Sequence, residues 1–284
     1  MAETSPLESY AVKSYRYLRL SMVVVLLSLA ASVLIERSHV SCWQGSVSAY
    51  YYTPVQAMFV TALVVIGVSL IAVKGVPDLE DVLLNFAGVL APIVAFVPTS
   101  APPPSQMCSS AAVVARNNEP FIDNNIVAFA IGGVVAIAIA FVIAFVFARR
   151  TGRATVGHLD RESSLGLAAA LLVLVVGIVW YIGFRESFLE RAHGGGAALM
   201  FFVLFLLIVH HARQRRRTGK SWLLYGLIAG TMALSVVGAL VGKAVDDGWR
   251  HQILWLEVLE LGAVLVYWVA QTFEHWDGGV TKEV

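Results

Sequence analysis

Eight long apolar runs, separated by short polar segments, constrain this chain more than any other feature of its sequence. A helix needs about 20 mostly apolar residues to cross the hydrocarbon core of a bilayer, since every backbone N–H and C=O must be paired within the segment. With 58% hydrophobic and 14% charged residues, the chain falls outside the composition of soluble domains, in which about a quarter of residues are charged. The sequence therefore predicts an all-α, polytopic bundle with about eight spans, at Leu18–Ile35, Val55–Val73, Val82–Val97, Ile126–Ala148, Leu165–Phe184, Ala197–His211, Leu223–Gly242 and Ile253–Phe273.

The placement of Lys and Arg between these runs indicates the orientation. With a cytoplasmic N-terminus, the outer side receives six of the 20 basic residues, namely Arg37, Arg116, Arg185, Arg191, Lys243 and Arg250, and the inner side the other fourteen. The positive-inside rule then places both termini in the cytoplasm. The predicted organisation is a lead of residues 1–17, a membrane domain of residues 18–273 and a tail of residues 274–284, with outer loops at 36–54, 98–125, 185–196 and 243–252. The first run lacks a small-residue cleavage site, which favours a retained anchor over a removable signal peptide.

Two cysteines lie in the first two predicted outer loops, Cys42 in one and Cys108 in the other. A disulfide persists on an oxidising face of a membrane, so one expectation is a bridge between them. The other is two unpaired thiols, because the sequence does not give the distance between the two residues.

The first outer loop concentrates hydroxyl groups just before the second span, on Ser46, Ser48, Tyr50, Tyr51 and Tyr52. One interpretation is an aromatic belt at the lipid headgroups, where tyrosine is favoured without any ligand. The other is an outward-facing pocket whose hydroxyls bind a sugar, a headgroup or a peptide.

The last span contains ionisable residues, which cost about 2.5–3.5 kcal/mol each by insertion scales and usually face protein or water. Glu257 and Glu260 lie one helical turn apart, and the same face continues to Tyr267, Gln271 and Glu274. This stripe predicts either a proton or ligand relay, joined by Asn85 from the third span, or a structural network of hydrogen bonds.

Four glycines recur along the seventh span at helical spacing: Gly226, Gly230, Gly238 and Gly242. Small residues let two helix backbones approach closely, so the pattern predicts a surface for helix packing, with a hinge or a dimer seam as alternatives.

Three histidines on the predicted outer face, His39, His193 and His251, could hold zinc together with a carboxylate. Membrane hydrolases of the alkaline ceramidase type group serine, aspartate and histidines near one membrane face, but this chain lacks their two histidines one helical turn apart. No HExxH motif is present, and no other cofactor is evident from the sequence.

Three segments, Ser48–Pro54, Glu80–Gly88 and Tyr267–Glu274, resemble those of a family of uncharacterised multi-span integral membrane proteins of actinobacteria. The resemblance implies a bacterial plasma-membrane location and brings no activity with it.

Three functional classes remain open at this point. The first is transport, or the binding of a small ligand or lipid, through the intramembrane carboxylates. The second is an accessory or scaffolding subunit with a protein partner or a second copy of the chain, and the third is a metal-dependent envelope or lipid hydrolase. A net charge of +1 gives no reason to expect nucleic acid, and the absence of Walker A and GxGxxG sequences gives none to expect a nucleotide.

Overall fold

The computed structural model describes residues 6–73, 78–111, 118–151, 161–246 and 248–276. These residues form eight α-helices and two short 3₁₀ turns, at Ser48–Tyr52 and Pro104–Gln106. The helices are α1 (Pro6–His39), α2 (Gln56–Ala72), α3 (Asp78–Phe96), α4 (Glu119–Thr151), α5 (Arg161–Gly183), α6 (Arg185–Arg217), α7 (Leu223–Val245) and α8 (Gln252–Glu274). In the described residues, six of these helices are long and apolar enough to cross a membrane, and α2 and the Leu171–Gly183 part of α5 are shorter apolar helices. The predicted all-α fold with about eight helices is confirmed.

Six of the helices form a ring in which each packs against the next, in the order α1, α2, α3, α6, α7, α8 and back to α1. α5 packs outside the ring against α3 and α6. We call the end of the bundle with Cys42 and Cys108 the outer end, and the end with Arg215 and Glu274 the inner end. Fully buried side chains such as Leu70, Leu84 and Leu207 fill the space between the ring helices.

α4 lies at the periphery, with little of its apolar surface buried in the protein. Its outer end is fixed by Asp123, which accepts two hydrogen bonds from the Arg185 guanidinium at 2.6 and 2.8 Å and one from the Tyr181 hydroxyl at 2.6 Å. The inner half of α4 leaves apolar side chains such as Val142 and Ile143 exposed, as expected for a helix surrounded by lipid.

Two helix backbones approach each other closely where α2 crosses α3. A Cβ atom added to Gly67 would lie 2.7 Å from the Gly88 carbonyl oxygen and 2.8 Å from Pro92 Cδ. The glycine stripe of α7 is divided in this respect. A Cβ on Gly230 or Gly238 would meet no atom of the described residues within 4 Å, whereas a Cβ on Gly242 would lie 3.3 Å from Gln252 Nε2 at the start of α8. α7 packs instead through the face that contains Tyr225, Ile228, Met232 and Ser235.

The structure differs from the sequence prediction at the sixth span. Residues 185–196 were expected as an outer loop, but α6 begins at Arg185 and runs through Gly194, Gly195 and Gly196. Three successive glycines disfavour a helix, yet here α6 packs closely on α3: a Cβ on Gly196 would lie 3.1 Å from Val94 Cγ2. Packing overrides the intrinsic preference of the glycines.

The other predicted boundaries shift less. The predicted 1–17 lead is helical from Pro6 onward and continuous with the first span. The loop predicted at 98–125 ends earlier, because α4 begins at Glu119. Residues 1–5, residues 112–117 of that loop and residues 277–284 of the predicted tail lie outside the described residues.

Candidate functional site

A cavity of about 800 Å³ lies between α6, α7 and α8, beneath the first outer loop. Its walls are mostly apolar and include Phe201, Phe205, Met232, Val236 and Leu256. Six polar residues also line it: Ser46, Ser48, Thr99, His193, Glu257 and Glu260. The volume falls within the range of about 300–1,000 Å³ found for small-molecule sites. Such sites also combine apolar walls with a few polar groups, as this cavity does.

Glu257 holds the first outer loop to α8. Its carboxylate accepts the Ser48 backbone N–H at 3.0 Å and the Ser48 hydroxyl at 2.9 Å. Ser46 Oγ lies 3.1 Å from Ser48 Oγ and accepts the Ala49 N–H at 2.9 Å. Leu254 N–H also donates to the Gly45 carbonyl at 2.9 Å. Both carboxylate oxygens of Glu257 are thus engaged by the loop that forms the outer wall of the cavity.

Glu260 is placed differently, although it lies only one helical turn further along α8. It is 3% exposed, and its Oε1 accepts a hydrogen bond from the Ser235 hydroxyl of α7 at 2.6 Å. Its Oε2 is buried and has no hydrogen-bond donor among the described residues. Glu260, which lines the cavity, therefore has one carboxylate oxygen that the described residues do not use.

His193 brings α6 to the outer end of α3. Its Nδ1 lies 3.1 Å from the Val94 carbonyl and 2.8 Å from the Val97 carbonyl. Carbonyl oxygens can only accept hydrogen bonds, so Nδ1 carries the proton of the neutral ring and Nε2 is left as an acceptor. The ring also stacks on Phe59 of α2, with the centroids 6.5 Å apart.

The three tyrosines of the outer loop pack away from the cavity. Tyr50 and Tyr51 are buried in the main hydrophobic core, inside the protein and not at a lipid-facing belt. The Tyr52 hydroxyl donates to the Thr99 carbonyl at 2.6 Å. Burial raises the pKa of Tyr50 and of Tyr52 above the usual tyrosine value. Of the five hydroxyl residues proposed for an outer pocket, the structure brings Ser46 and Ser48 to the cavity.

A smaller polar groove of about 180 Å³ shares Gly45, Ser46 and Thr99 with the cavity. Arg250 and Gln106 line it as well. The two spaces therefore share part of their lining in the first and second outer loops, and Arg250 lines the groove but not the cavity.

The polar face of α8 divides into two separate clusters. Glu260 and Tyr267 are seven residues apart, which is about 10 Å along a helix, and the intervening Ala263 and Val264 are buried apolar residues. Tyr267 and Gln271 belong to a second cluster at the inner end. Asn85, expected to join the stripe, donates instead to Asp81 Oδ2 of its own helix at 3.1 Å.

This inner cluster is centred on His211 of α6. The Tyr267 hydroxyl lies 2.9 Å and the Gln271 amide nitrogen 3.3 Å from His211 Nδ1. Since both groups donate to Nδ1, the proton of the neutral ring lies on Nε2, which is 3.3 Å from Glu80 Oε2. The cluster thereby joins α8 and α6 to α3.

From Gln271 the inner cluster extends to the surface. The Gln271 amide also donates to the Tyr225 hydroxyl at 2.9 Å, which donates to Glu274 at 2.7 Å. Arg215 pairs with the same Glu274 oxygen at 2.6 Å. This arrangement satisfies buried polar groups between helices, as a structural network requires.

The structure does not bring the three candidate zinc ligands together. His193 lines the cavity, the Nδ1 of His251 is 3.2 Å from the Gln44 carbonyl, and His39 is exposed at the end of α1. In the described part of the chain, no three His, Cys, Asp or Glu residues are grouped so as to hold a metal ion.

A disulfide joins Cys42 to Cys108, with their Cα atoms 5.8 Å apart. Beside it, Glu36 at the end of α1 accepts the Ser110 N–H at 2.6 Å and the Ser110 hydroxyl at 2.7 Å. The sequence interpretation missed Glu36. This residue holds the second outer loop through the backbone N–H and the hydroxyl of one serine, Ser110, just as Glu257 holds the first outer loop through Ser48.

No protein-family model, curated protein or solved structure matches the chain. Its own residues are therefore the basis on which a function can be assigned.

Proposed function

We propose that this protein is a multi-pass protein of a bacterial plasma membrane that binds a small amphipathic molecule or lipid in the cavity between α6, α7 and α8. The observation that carries the proposal is the combination, in one cavity of about 800 Å³, of apolar walls with Glu257 and Glu260. Carboxylates within a membrane domain are costly, and they commonly mark a binding or transport site.

The position of the cavity suits a ligand that arrives from the bilayer. Several residues that line it have exposed side chains, including Phe202, Val236 and Ile253. These residues lie on three different apolar helices, so we expect the opening to face the lipid between α6, α7 and α8. An amphiphile can therefore enter sideways with its apolar part in contact with apolar walls throughout.

Binding is better supported than transport. A transported ligand would need a route to the inner end, but Ala263 and Val264 separate Glu260 from the inner cluster around His211. The proposed orientation, with both termini in the cytoplasm, is supported by the excess of basic residues at the inner end and by a disulfide at the outer end.

The test is native mass spectrometry of the full chain, extracted gently from its own membrane. We expect a small molecule or lipid to stay bound in stoichiometric amount. Val236→Trp should release it, because the larger ring would occupy the mouth of the cavity. Val237→Trp is the matched control, since Val237 is exposed on the neighbouring face of α7 and does not line the cavity. A wild-type chain with nothing bound, or a ligand retained equally by both variants, would contradict the proposal.

A second candidate, an accessory or scaffolding subunit, is favoured by one observation. α4 is the least buried of the candidate spans in the described residues, and it is fixed to the bundle at its outer end. Such a helix offers a long apolar surface to another membrane protein. Recovery of the chain with one partner in constant ratio, and loss of that partner after Ile139→Trp on the exposed face of α4, would favour this function.

A further inference from the structure

The carboxylate and imidazole groups that line the cavity can accept hydrogen bonds. Glu260 Oε2 has no donor among the described residues, and His193 presents Nε2 as an acceptor because its Nδ1 proton is directed to two carbonyls. Of the hydroxyl groups that line the cavity, that of Ser48 is directed to Glu257, and those of Ser46 and Thr99 belong to the outer loops. No lysine or arginine occurs among the described residues that line the cavity. The site is therefore complementary to a ligand that donates hydrogen bonds and carries positive charge.

The depth of Glu260 below the outer end of α8 further limits the class of ligand that can bind. It lies eight residues into α8, or about 12 Å below the outer end of this helix, and thus under the loop held by Glu257. The walls around it are apolar, with Phe205 from α6 and Met232 from α7. A buried carboxylate in such surroundings is stabilised when a cation pairs with it and uses its remaining lone pairs. Because apolar side chains surround the carboxylate, the cationic group must be small and the rest of the ligand must be apolar.

We infer that the ligand of this cavity is an amphiphilic amine, whose ammonium group donates a hydrogen bond to Glu260 Oε2 and whose apolar chain lies along α6 and α7. The inference rests on the proposed function and adds the chemical class of the ligand. Ser235 holds the other oxygen of Glu260 in place and is a positioning residue for the carboxylate. A phospholipid with an anionic phosphate fits less well, because the described residues that line the cavity include no cation to receive the phosphate.

The test is equilibrium binding to the full chain in phosphatidylcholine nanodiscs, with binding to empty nanodiscs subtracted. The probes are radiolabelled dodecylamine, which is protonated at neutral pH, and 1-dodecanol, which has the same chain without the charge. Wild-type protein should bind the amine about tenfold or more tightly than the alcohol, because hydrogen bonds between charged groups are the strong ones. Glu260→Gln should remove this preference and keep the binding of the alcohol.

Glu190→Gln is the matched control, since Glu190 is exposed on α6 and does not line the cavity. It should leave the preference for the amine unchanged. If Glu260→Gln does not fold, the ratio of the wild-type affinities for dodecylamine and 1-dodecanol still tests the inference. A ratio near one overturns it. Equal binding of the amine by wild type and Glu260→Gln overturns it as well.

The same experiment separates the two proposals. If Val236→Trp weakens both probes while the wild type shows no preference for the amine, the cavity is a binding site but its ligand is not an amine. If neither probe binds above the empty nanodiscs, or if Val236→Trp affects neither, the proposed function fails together with the inference.

Discussion

The two glutamates of α8 have different surroundings, although they differ by one helical turn. Glu257 has both oxygens engaged by Ser48, whereas Glu260 has one oxygen bound by Ser235 and one left unpaired by the described residues. The sequence could single out both residues, because carboxylates are costly in an apolar span. It could not assign their roles, since Ser48 lies 209 residues from Glu257 and Ser235 lies 25 residues from Glu260.

The histidines also show that the sequence does not reveal which distant residues come into contact. Their position on one predicted face suggested a zinc site, but sharing a face does not set the distance between side chains. His211, which the sequence interpretation assigned only to the end of a span, is the residue that the structure places at the centre of a cluster. Its partners come from α3 and α8, and no local pattern in the sequence could connect them.

Removal of the Ser48 hydroxyl tests the role of Glu257. Ser48→Ala removes the hydrogen bond to Glu257 Oε1 and leaves that oxygen short of a donor. We expect the free energy of unfolding to fall by about 1–3 kcal/mol, the usual cost of a lost hydrogen bond to a charged group. Thermal unfolding in a mild detergent measures the change.

The matched control for Ser48 is Ser38→Ala. The Ser38 hydroxyl donates to the Ile35 carbonyl of its own helix at an exposed position. Its removal should change the free energy of unfolding by less than about 0.5 kcal/mol. Equal effects of the two substitutions would mean that Ser48 does not hold the loop to α8.

At the scale of whole elements, hydrophobic runs located the helices well and located some of their ends poorly. α6 is the main example, because Gly194, Gly195 and Gly196 have a poor helix preference and yet lie within it. What stabilises the helix there is its contact with α3, through Gly196 against Val94 and His193 against the end of α3. Contacts between distant segments are absent from a local sequence pattern, so this boundary could not be predicted.

Helix packing at glycines likewise depends on contacts that a local sequence pattern does not show. The regular spacing on α7 predicted a packing surface, but the close crossing in the chain is made by single glycines on α2 and α3, Gly67 and Gly88. A crossing point needs one small residue on each helix, which leaves no repeated pattern in either sequence. The middle of the α7 stripe, at Gly230 and Gly238, is available to lipid or to a second copy of the chain.

A Gly→Ala substitution at each position distinguishes a glycine at a close helix crossing from a glycine on the open part of the α7 stripe. Gly67→Ala would bring its Cβ to 2.7 Å from the Gly88 carbonyl oxygen, so α2 and α3 would have to move apart. We expect a loss of about 1–3 kcal/mol in the free energy of unfolding, which is typical of overpacking. Gly238→Ala, the control, meets no atom within 4 Å and should be neutral or gain up to about 1 kcal/mol from helix preference. Thermal unfolding of the two variants gives the comparison, and a destabilised Gly238→Ala together with a stable Gly67→Ala would restore the original interpretation of the α7 stripe.

At the scale of the whole molecule, the two ends of the bundle are built by different means. The outer end is held by a disulfide and by two glutamates, Glu36 and Glu257, each of which binds the backbone and hydroxyl of a serine in a loop. The inner end is held by side chains of the helices themselves, around His211 and Glu274. The loops of the outer end cover the cavity, so their attachment determines whether the site keeps its shape.

The disulfide yields a prediction on stability. Cys42 and Cys108 are separated by 66 residues, so their bridge closes a long loop of the unfolded chain. In the chain-entropy treatment, a loop of this size is worth about 4 kcal/mol at most. We expect the double variant Cys42→Ala, Cys108→Ala to unfold at a lower temperature than the wild type, with a loss of about 2–4 kcal/mol.

Labelling of the same two cysteines tests the orientation of the whole chain. Disulfides persist on the oxidising side of a membrane, and the positive-inside rule independently predicts that these loops lie outside. In intact cells, a membrane-impermeant maleimide should therefore add nothing to the native chain. After treatment with an impermeant reductant it should label Cys42, whose side chain is exposed, as the mass of the purified chain would record. Labelling without reductant would mean that the bridge does not form in the cell. Labelling that required disruption of the cells would place the cavity mouth and both loops on the cytoplasmic side, and the ligand would then have to enter from the inner leaflet.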